Sequence, residues 1–234
     1  KEAKVSISTV SDILNRKLAA STATREKVFN AVKKLKYIPN VHARKIITGK
    51  SENIVFLMSD IGTSIISNPF YSIIFEGVEA EIKKYGYNLL FATIKEKDNT
   101  KIVVPKMIVE NNVEGIILAG NFDTEFITFV RKQKIPLVLI DNQYENIDCI
   151  VTNNIDGARQ AVKYLYELGH RRIAFINGPA GHFSFKERFI GYESALSEFG
   201  IGFLKDLTNI REDFDGSVAV EQLLNLETKP TAIF

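Results

Sequence analysis

The residues with evident chemistry fall into two sets. The first is a row of short polar side chains, Ser6, Ser8, Thr9, Asp12, Asn15, Ser21 and Thr24, lying among lysines and arginines near the start of the sequence. Short polar groups at helix starts and turns either cap the helix or bond phosphate oxygens, and both readings stay open for Ser6, Thr9, Asn15, Ser21 and Thr24. The second set is scattered further along: Phe70, Tyr71, Asp141, His182, Ser184 and Arg188. Aromatic faces stack on flat rings, a carboxylate accepts from hydroxyls, and an arginine binds hydroxyls or an anion. Such groups bind without catalysing.

Motifs for catalysis are missing. Gly49-Lys50-Ser51 looks like the end of a phosphate-binding loop, but Arg44 stands where that loop needs glycine, and no strand precedes it. There is no GxGxxG after a strand and no nucleophile elbow. His42, His170 and His182 make no metal-ligand spacing with Cys149, and a single cysteine cannot form an internal disulfide. The expectation is therefore a non-enzyme with no cofactor and no metal, in a reducing cytoplasm. No run reaches the roughly 18 apolar residues of a membrane span, and Lys1-Glu2-Ala3-Lys4 lacks a secretory signal's apolar core, so no membrane association is expected.

Charge divides the chain before periodicity does. Residues 1–50 carry twelve basic and three acidic side chains, a net +9, whereas 51–234 carry eighteen and twenty-five, a net −7. A basic head on an acidic body either directs the head at a polyanion or is a solvated lysine-rich surface.

Within the head, Ser6 precedes a helical pattern over Ile7 to Leu14 in which Val10, Ile13 and Leu14 share a face. Ser21 opens a second over 22–36, with Val28, Ala31, Val32 and Leu35 in one stripe. Pro39 interrupts, and a short helix Val41 to Ile47 precedes the linker at 48–52. Val10, Ile13, Leu14, Val28 and Val32 are the expected core of the head.

From Asn53 onward, apolar runs alternate with amphipathic helices. Strands are expected at Ile54–Met58, Tyr87–Thr93, Gly115–Ala119, Leu137–Ile140, Cys149–Thr152 and Ile173–Ile176. Helices are expected at Pro69–Tyr85, near 99–111 and 124–133, at Ile155–Leu168 and at Phe185–Phe199. Repeated βαβ units predict parallel sheets covered by helices, in two lobes, 53–152 and 153–234. The closing strand at Ala232-Ile233-Phe234 lacks a covering helix, which marks the second lobe as incomplete.

The run Val5-Ser6-Ile7-Ser8-Thr9-Val10-Ser11-Asp12-Ile13-Leu14-Asn15 resembles the turn and recognition helix of the lactose/galactose repressor family, and Thr24-Arg25-Glu26-Lys27-Val28 and Tyr37-Ile38-Pro39-Asn40 follow at the family's spacing. Ala43-Arg44-Lys45-Ile46 is similar to its hinge helix. Ser67-Asn68-Pro69-Phe70-Tyr71, Val113-Glu114-Gly115-Ile116-Ile117 and Gly169-His170-Arg171-Arg172-Ile173 are similar to its sensor signatures. The resemblance spans essentially the whole chain and implies a member truncated at both ends. It implies an all-α helix-turn-helix DNA-binding head with hinge helix over 1–47, joined to a two-lobed α/β sensor of the periplasmic-binding-protein kind.

The implied roles follow position by position. Ile7, Ser8 and Asp12 face bases in the major groove, where Ile7 suits a thymine methyl and Asp12 the cytosine amino group. Many family members carry a basic residue where Asp12 stands, so an altered operator is expected. Ala43 and Ile46 enter the minor groove, with Ile46 as a wedge in place of the usual leucine; a linker residue packing on the sensor is the alternative. Phe70, Tyr71, Asp141, His182, Ser184 and Arg188 are the implied effector contacts, at strand-to-helix turns around the cleft between the lobes. Interlobe packing for Tyr71 and solvation for His182 are the alternatives.

The whole is read as a sequence-specific transcriptional regulator, a repressor acting as a homodimer on a near-palindromic operator. Its DNA affinity answers to a small molecule such as a sugar, with a protein corepressor as a further partner. A sugar-binding receptor of a transport system shares the body's architecture and is the rival reading; the +9 head argues against it.

Overall fold

A computed structural model of the chain describes residues 2–14, 20–37, 49–60, 68–95, 104–211 and 215–234. It divides into two compact units, Lys1–Ser51 and Glu52–Phe234.

The first unit contains α1 (Ile7–Leu14) and α2 (Thr22–Lys34). Both start at serine caps. Ser6 Oγ accepts from the Thr9 amide at 3.0 Å, and Ser21 Oγ from the Thr24 amide at 3.3 Å. Ile13 and Val28 are the buried centre, with Val10, Leu14 and Val32 half-buried around them. Leu35, expected on the same stripe, is instead exposed. The helix ends at Lys34 and Lys36 turns to a positive φ of 46°, which carries Leu35 off the apolar face. The hinge segment 40–47 lies outside the described residues.

The second unit begins with a five-stranded parallel sheet in the order β2-β1-β3-β4-β5. Its strands are β1 (Asn53–Asp60), β2 (Asn88–Lys95), β3 (Gly115–Ala119), β4 (Leu137–Ile140) and β5 (Asp148–Ile150). The connecting helices are α3 (Pro69–Lys84), α4 (Lys106–Val109) and α5 (Thr124–Lys132). Successive β1 residues face opposite sides, and both sides are covered. Val55 and Leu57 join Ile116, Leu118, Leu139, Phe126 and Val130, while Phe56 and Met58 join Tyr71, Ala119 and Ile140. That double burial is why β1 reads as an unbroken apolar run rather than an alternating one.

The helix expected near 99–111 is only Lys106–Val109 among the described residues. Pro105 precedes its first residue, and Asn111, at a positive φ of 50°, follows its end.

After β5 the chain crosses to a three-stranded parallel sheet, β7-β6-β8, of β6 (Ile173–Asn177), β7 (Thr208–Ile210) and β8 (Ala232–Ile233). It packs with α6 (Asn154–Glu167), α7 (Phe183–Glu198) and α8 (Gly216–Leu224). Val162, Ile173, Phe175, Tyr192, Ala195 and Leu196 form the core between β6 and the α6–α7 pair. Both helices start earlier than the apolar pattern predicts, because the polar caps Asn153 and His182 open them. Among the described residues, no helix is long and apolar enough to cross a membrane.

Candidate functional site

The carboxyl ends of β1, β3 and β4 lie level, since Met58 pairs with Ala119 and Ala119 with Ile140. Beyond them stand Ser59, Gly120 and Asp141. Asp141 takes a left-handed backbone conformation, φ 59°, uncommon outside glycine, asparagine and aspartate. Gly120 also has a positive φ, and a Cβ there would sit 3.2 Å from the Tyr71 hydroxyl, so glycine leaves the space that Tyr71 needs.

Asp141 is the meeting point. Its Oδ2 accepts from the Tyr71 hydroxyl at 2.8 Å, and its Oδ1 accepts from the Ser184 hydroxyl across the lobes. His182 Nε2 lies 3.7 Å from Oδ2. His182 caps α7 with Nδ1, which accepts from the Ser184 amide at 3.3 Å; in the neutral ring this leaves the proton on Nε2, facing the carboxylate. All four side chains are buried, so two hydroxyl donors offset much of the cost of holding a carboxylate out of water.

Electrostatics within the cluster are mutual. Burial and the Asp141 carboxylate push the Tyr71 phenol well above its ordinary range, against an opposing pull from Arg188. Burial lowers His182 below the usual imidazole value; Asp141 raises it, and Arg188 lowers it further.

Arg188 belongs to the same neighbourhood, one turn along α7. Its Nε donates to Asn154 Oδ1 at 3.0 Å, and its guanidinium lies over the Phe185 ring, 5.3 Å from the centroid. Asn154 is itself buried and donates from Nδ2 to the Thr152 carbonyl at 3.2 Å.

Five of the six expected body residues are thus drawn together: Tyr71 and Asp141 from the first lobe, and His182, Ser184 and Arg188 from the second. Phe70 stands at the margin, partly exposed and edge-on to Tyr71 at 5.0 Å. The Tyr71 ring is buried in its own lobe's core with Phe56, Met58 and Ala119. The solvated alternative for His182 fails, because only 7% of it is exposed. Sequence reasoning missed Asn154, Phe185 and Gly120. The Asn153-Asn154 pair at the crossover was the one local signal, and nothing marked which amide turns inward.

In the first unit, Ile7 is 89% exposed at the start of α1 although it is apolar. Ser8 is exposed beside it and Asp12 half-buried on the next turn. The Ser6 hydroxyl also bonds those of Ser8 and Thr9, at 2.8 and 2.7 Å, and Ser21 bonds the Thr24 hydroxyl at 2.9 Å. Asn15, Ala43 and Ile46 lie outside the described residues.

The family model for periplasmic binding proteins and the sugar binding domain of the LacI family matches residues 19–234. Catabolite control protein A of Priestia megaterium is 31% identical, over all of this chain and 71% of its own length. The probable HTH-type transcriptional repressor ExuR of Bacillus subtilis is 33% identical, over 100% and 70%. The chain belongs to the LacI family. Like the relatives named repressors, which match it from end to end, it is a transcriptional regulator. The HTH-type transcriptional repressor CytR of Escherichia coli is 31% identical over all of this chain and 68% of its own.

Among solved structures, the lac repressor dimer bound to operator and anti-inducer has the same fold, with a TM-score of 0.80 at 24% identity over 99% of this chain and 70% of that one. The CelR–cellobiose complex matches with a TM-score of 0.63 at 27% identity, over 95% and 68%. Transcriptional repressors matched over the head as well as the body favour a LacI-family regulator over a transport receptor.

Proposed function

We propose that this LacI-family chain binds operator DNA through its first unit, as a cytoplasmic homodimer, and that a small molecule held between the two lobes of its second unit controls that binding. The carrying observation is the convergence on Asp141 of Tyr71 from one lobe and Ser184 and His182 from the other. A ligand competing for these groups changes what holds the lobes together, and such differential contact is what a two-state switch requires. A sugar or sugar derivative is the proposed effector, in keeping with the cellobiose complex of CelR. No catalytic step is included.

In this reading α1 is the recognition helix of a helix-turn-helix. Ile7, left in solvent at the helix start, packs on a thymine methyl, while Ser8 and Asp12 read adjacent base edges. Ser6, Thr9, Asn15, Ser21 and Thr24 hold phosphates, and Ala43 and Ile46 enter the minor groove.

Selection of bound duplexes from a random library by the full-length protein tests the proposal. A near-palindromic consensus is expected, altered in base preference more than in affinity by Asp12→Ala. Candidate sugars added to the same assay are expected to change recovery. Salt-sensitive binding without any consensus refutes operator reading.

A further inference from the structure

The structure assigns to Glu114 a positioning role in DNA binding: it clamps the first residues of the sensor, so that the linker to each DNA-reading head starts from a fixed point. This rests on the operator reading above. The clamp stands at the amino ends of the central strands, the opposite end of the sheet from Asp141. There β1 lies between β2 and β3, with Asn53 paired to Asn88 and Ile54 to Gly115. Glu114 Oε1 accepts from the Glu52 amide at 2.8 Å, and Oε2 accepts from the Tyr87 hydroxyl at 3.1 Å. The Glu114 amide in turn donates to the Asn53 carbonyl at 2.8 Å.

Asn88 completes the hold from the β2 side. Its amide donates to the Glu52 carbonyl at 2.8 Å, and its Nδ2 donates to that carbonyl and to Asn53 Oδ1, at 3.3 and 3.1 Å. Asn53 Nδ2 donates to the Asn112 carbonyl at 3.0 Å. Both polar backbone groups of Glu52 are therefore bonded, as are the carbonyl and side chain of Asn53. Glu52 has a φ of 55°, in the left-handed region uncommon for glutamate. A strand's ladder needs neither that backbone nor a side-chain acceptor for the amide before it. Here a carboxylate supplies one, and hydrogen bonds to a carboxylate are the stronger kind. The bond to Glu114 also raises the Tyr87 phenol above its ordinary value, which keeps it a donor.

Glu52 opens the second unit, and the expected linker, 48–52, ends on it. What holds Glu52 sets where the free length of that linker begins. In a dimer whose heads read two half-sites, binding of the second head is intramolecular, and its effective concentration depends on the length and stiffness of the tether. Releasing Glu52 and Asn53 lengthens and softens both tethers. Affinity at the best half-site spacing then falls, while neighbouring spacings are penalised less.

Glu114→Ala and Tyr87→Phe in the full-length protein test this by three readings: thermal melting, hydrogen exchange at the Glu52 amide, and selection from a duplex library in which the distance between half-sites varies. Glu114→Ala is expected to speed exchange of the Glu52 amide about tenfold, the scale of one hydrogen bond to a charged group. Its selected half-site sequence is expected to match the wild type, its affinity at the preferred spacing to fall about two- to threefold, and its range of accepted spacings to widen. Glu114→Gln, which keeps one carbonyl acceptor, is expected to fall between. Tyr87→Phe deletes one of the two donors to the carboxylate and is expected to shift both readings less, in the same direction; it carries the test if Glu114→Ala unfolds. Faster exchange with spacing and affinity unchanged makes Glu114 merely structural and overturns the inference, as does exchange no faster than in the wild type. A uniform loss of affinity at every spacing, tracking a lower melting temperature, overturns it too. Wild-type protein that selects no paired half-sites refutes the operator reading and the positioning role together, whereas variants that match a wild type that does select them refute the positioning role alone.

Discussion

Asp141 concentrates the consequences of single substitutions. Tyr71→Phe keeps the buried ring and deletes only the donor to a buried carboxylate, so it is expected to destabilise the protein by about 1.5–3 kcal/mol, the range for hydrogen bonds to charged groups. Urea unfolding measures this; a loss below about 0.5 kcal/mol would mean that the hydroxyl is not a partner of Asp141 in solution. His182 gives a pH dependence. Its folded-state pKa is lowered, chiefly by burial, so the unfolded chain binds the proton more readily. Its stabilising contribution is therefore present above the ordinary value near 6.5 and is lost as pH falls below it. His182→Asn preserves a capping acceptor and removes the titration, so its stability is expected to fall less steeply between pH 7 and 5 than that of the wild type. Parallel melting curves would refute this.

At the scale of elements, the α6–α7 contact is set by one residue without a side chain. A Cβ at Gly191 would press into the Ile155 carbonyl oxygen and sit 2.8 Å from the Ala158 Cβ, so the two helices meet at the closeness that glycine allows. Gly191→Ala is expected to cost about 1–3 kcal/mol by forcing them apart, and because α7 carries Ser184 and Arg188 and is capped by His182, to weaken effector binding too. Gly157, exposed on α6 with no atom close to where an added methyl group would sit, supplies the contrast. Gly157→Ala is expected to stabilise by about 0.5–1 kcal/mol through helix propensity and reduced freedom of the unfolded chain. Thermal melts of the two variants moving in the same direction would contradict this account.

At the scale of the molecule, charge is divided between the parts, +9 over residues 1–50 and −7 over the remainder. DNA affinity of the full-length protein is expected to fall by about three orders of magnitude between 50 and 200 mM salt, as counterion release requires for several phosphate contacts. Fluorescence anisotropy with a duplex checks it. A salt-insensitive affinity would mean that the basic residues of the head are not at the phosphates.

Much of this was legible in the residues themselves. β1 declares itself by an apolar run because both sides of the sheet are covered, and α1 and α2 begin at the serines whose hydroxyls meet orphan amides. Those are consequences of local chemistry, and so is the charge division. Leu35 shows where local pattern fails: it continues the apolar stripe in sequence, yet the backbone turns at Lys36 and leaves it in solvent. The site divides in the same way. Phe70, Tyr71, Asp141, His182, Ser184 and Arg188 could be singled out by type, by position at strand-to-helix turns and by resemblance to the LacI family, but not paired. That Asp141 takes hydroxyls from residues 70 positions before it and 43 after it, that Asn154 pins Arg188, and that His182 is buried were decided only when two lobes closed on one carboxylate. Hydrogen bonds between residues so far apart leave no period in the sequence, because what brings them together is the packing of the sheets and helices that carry them.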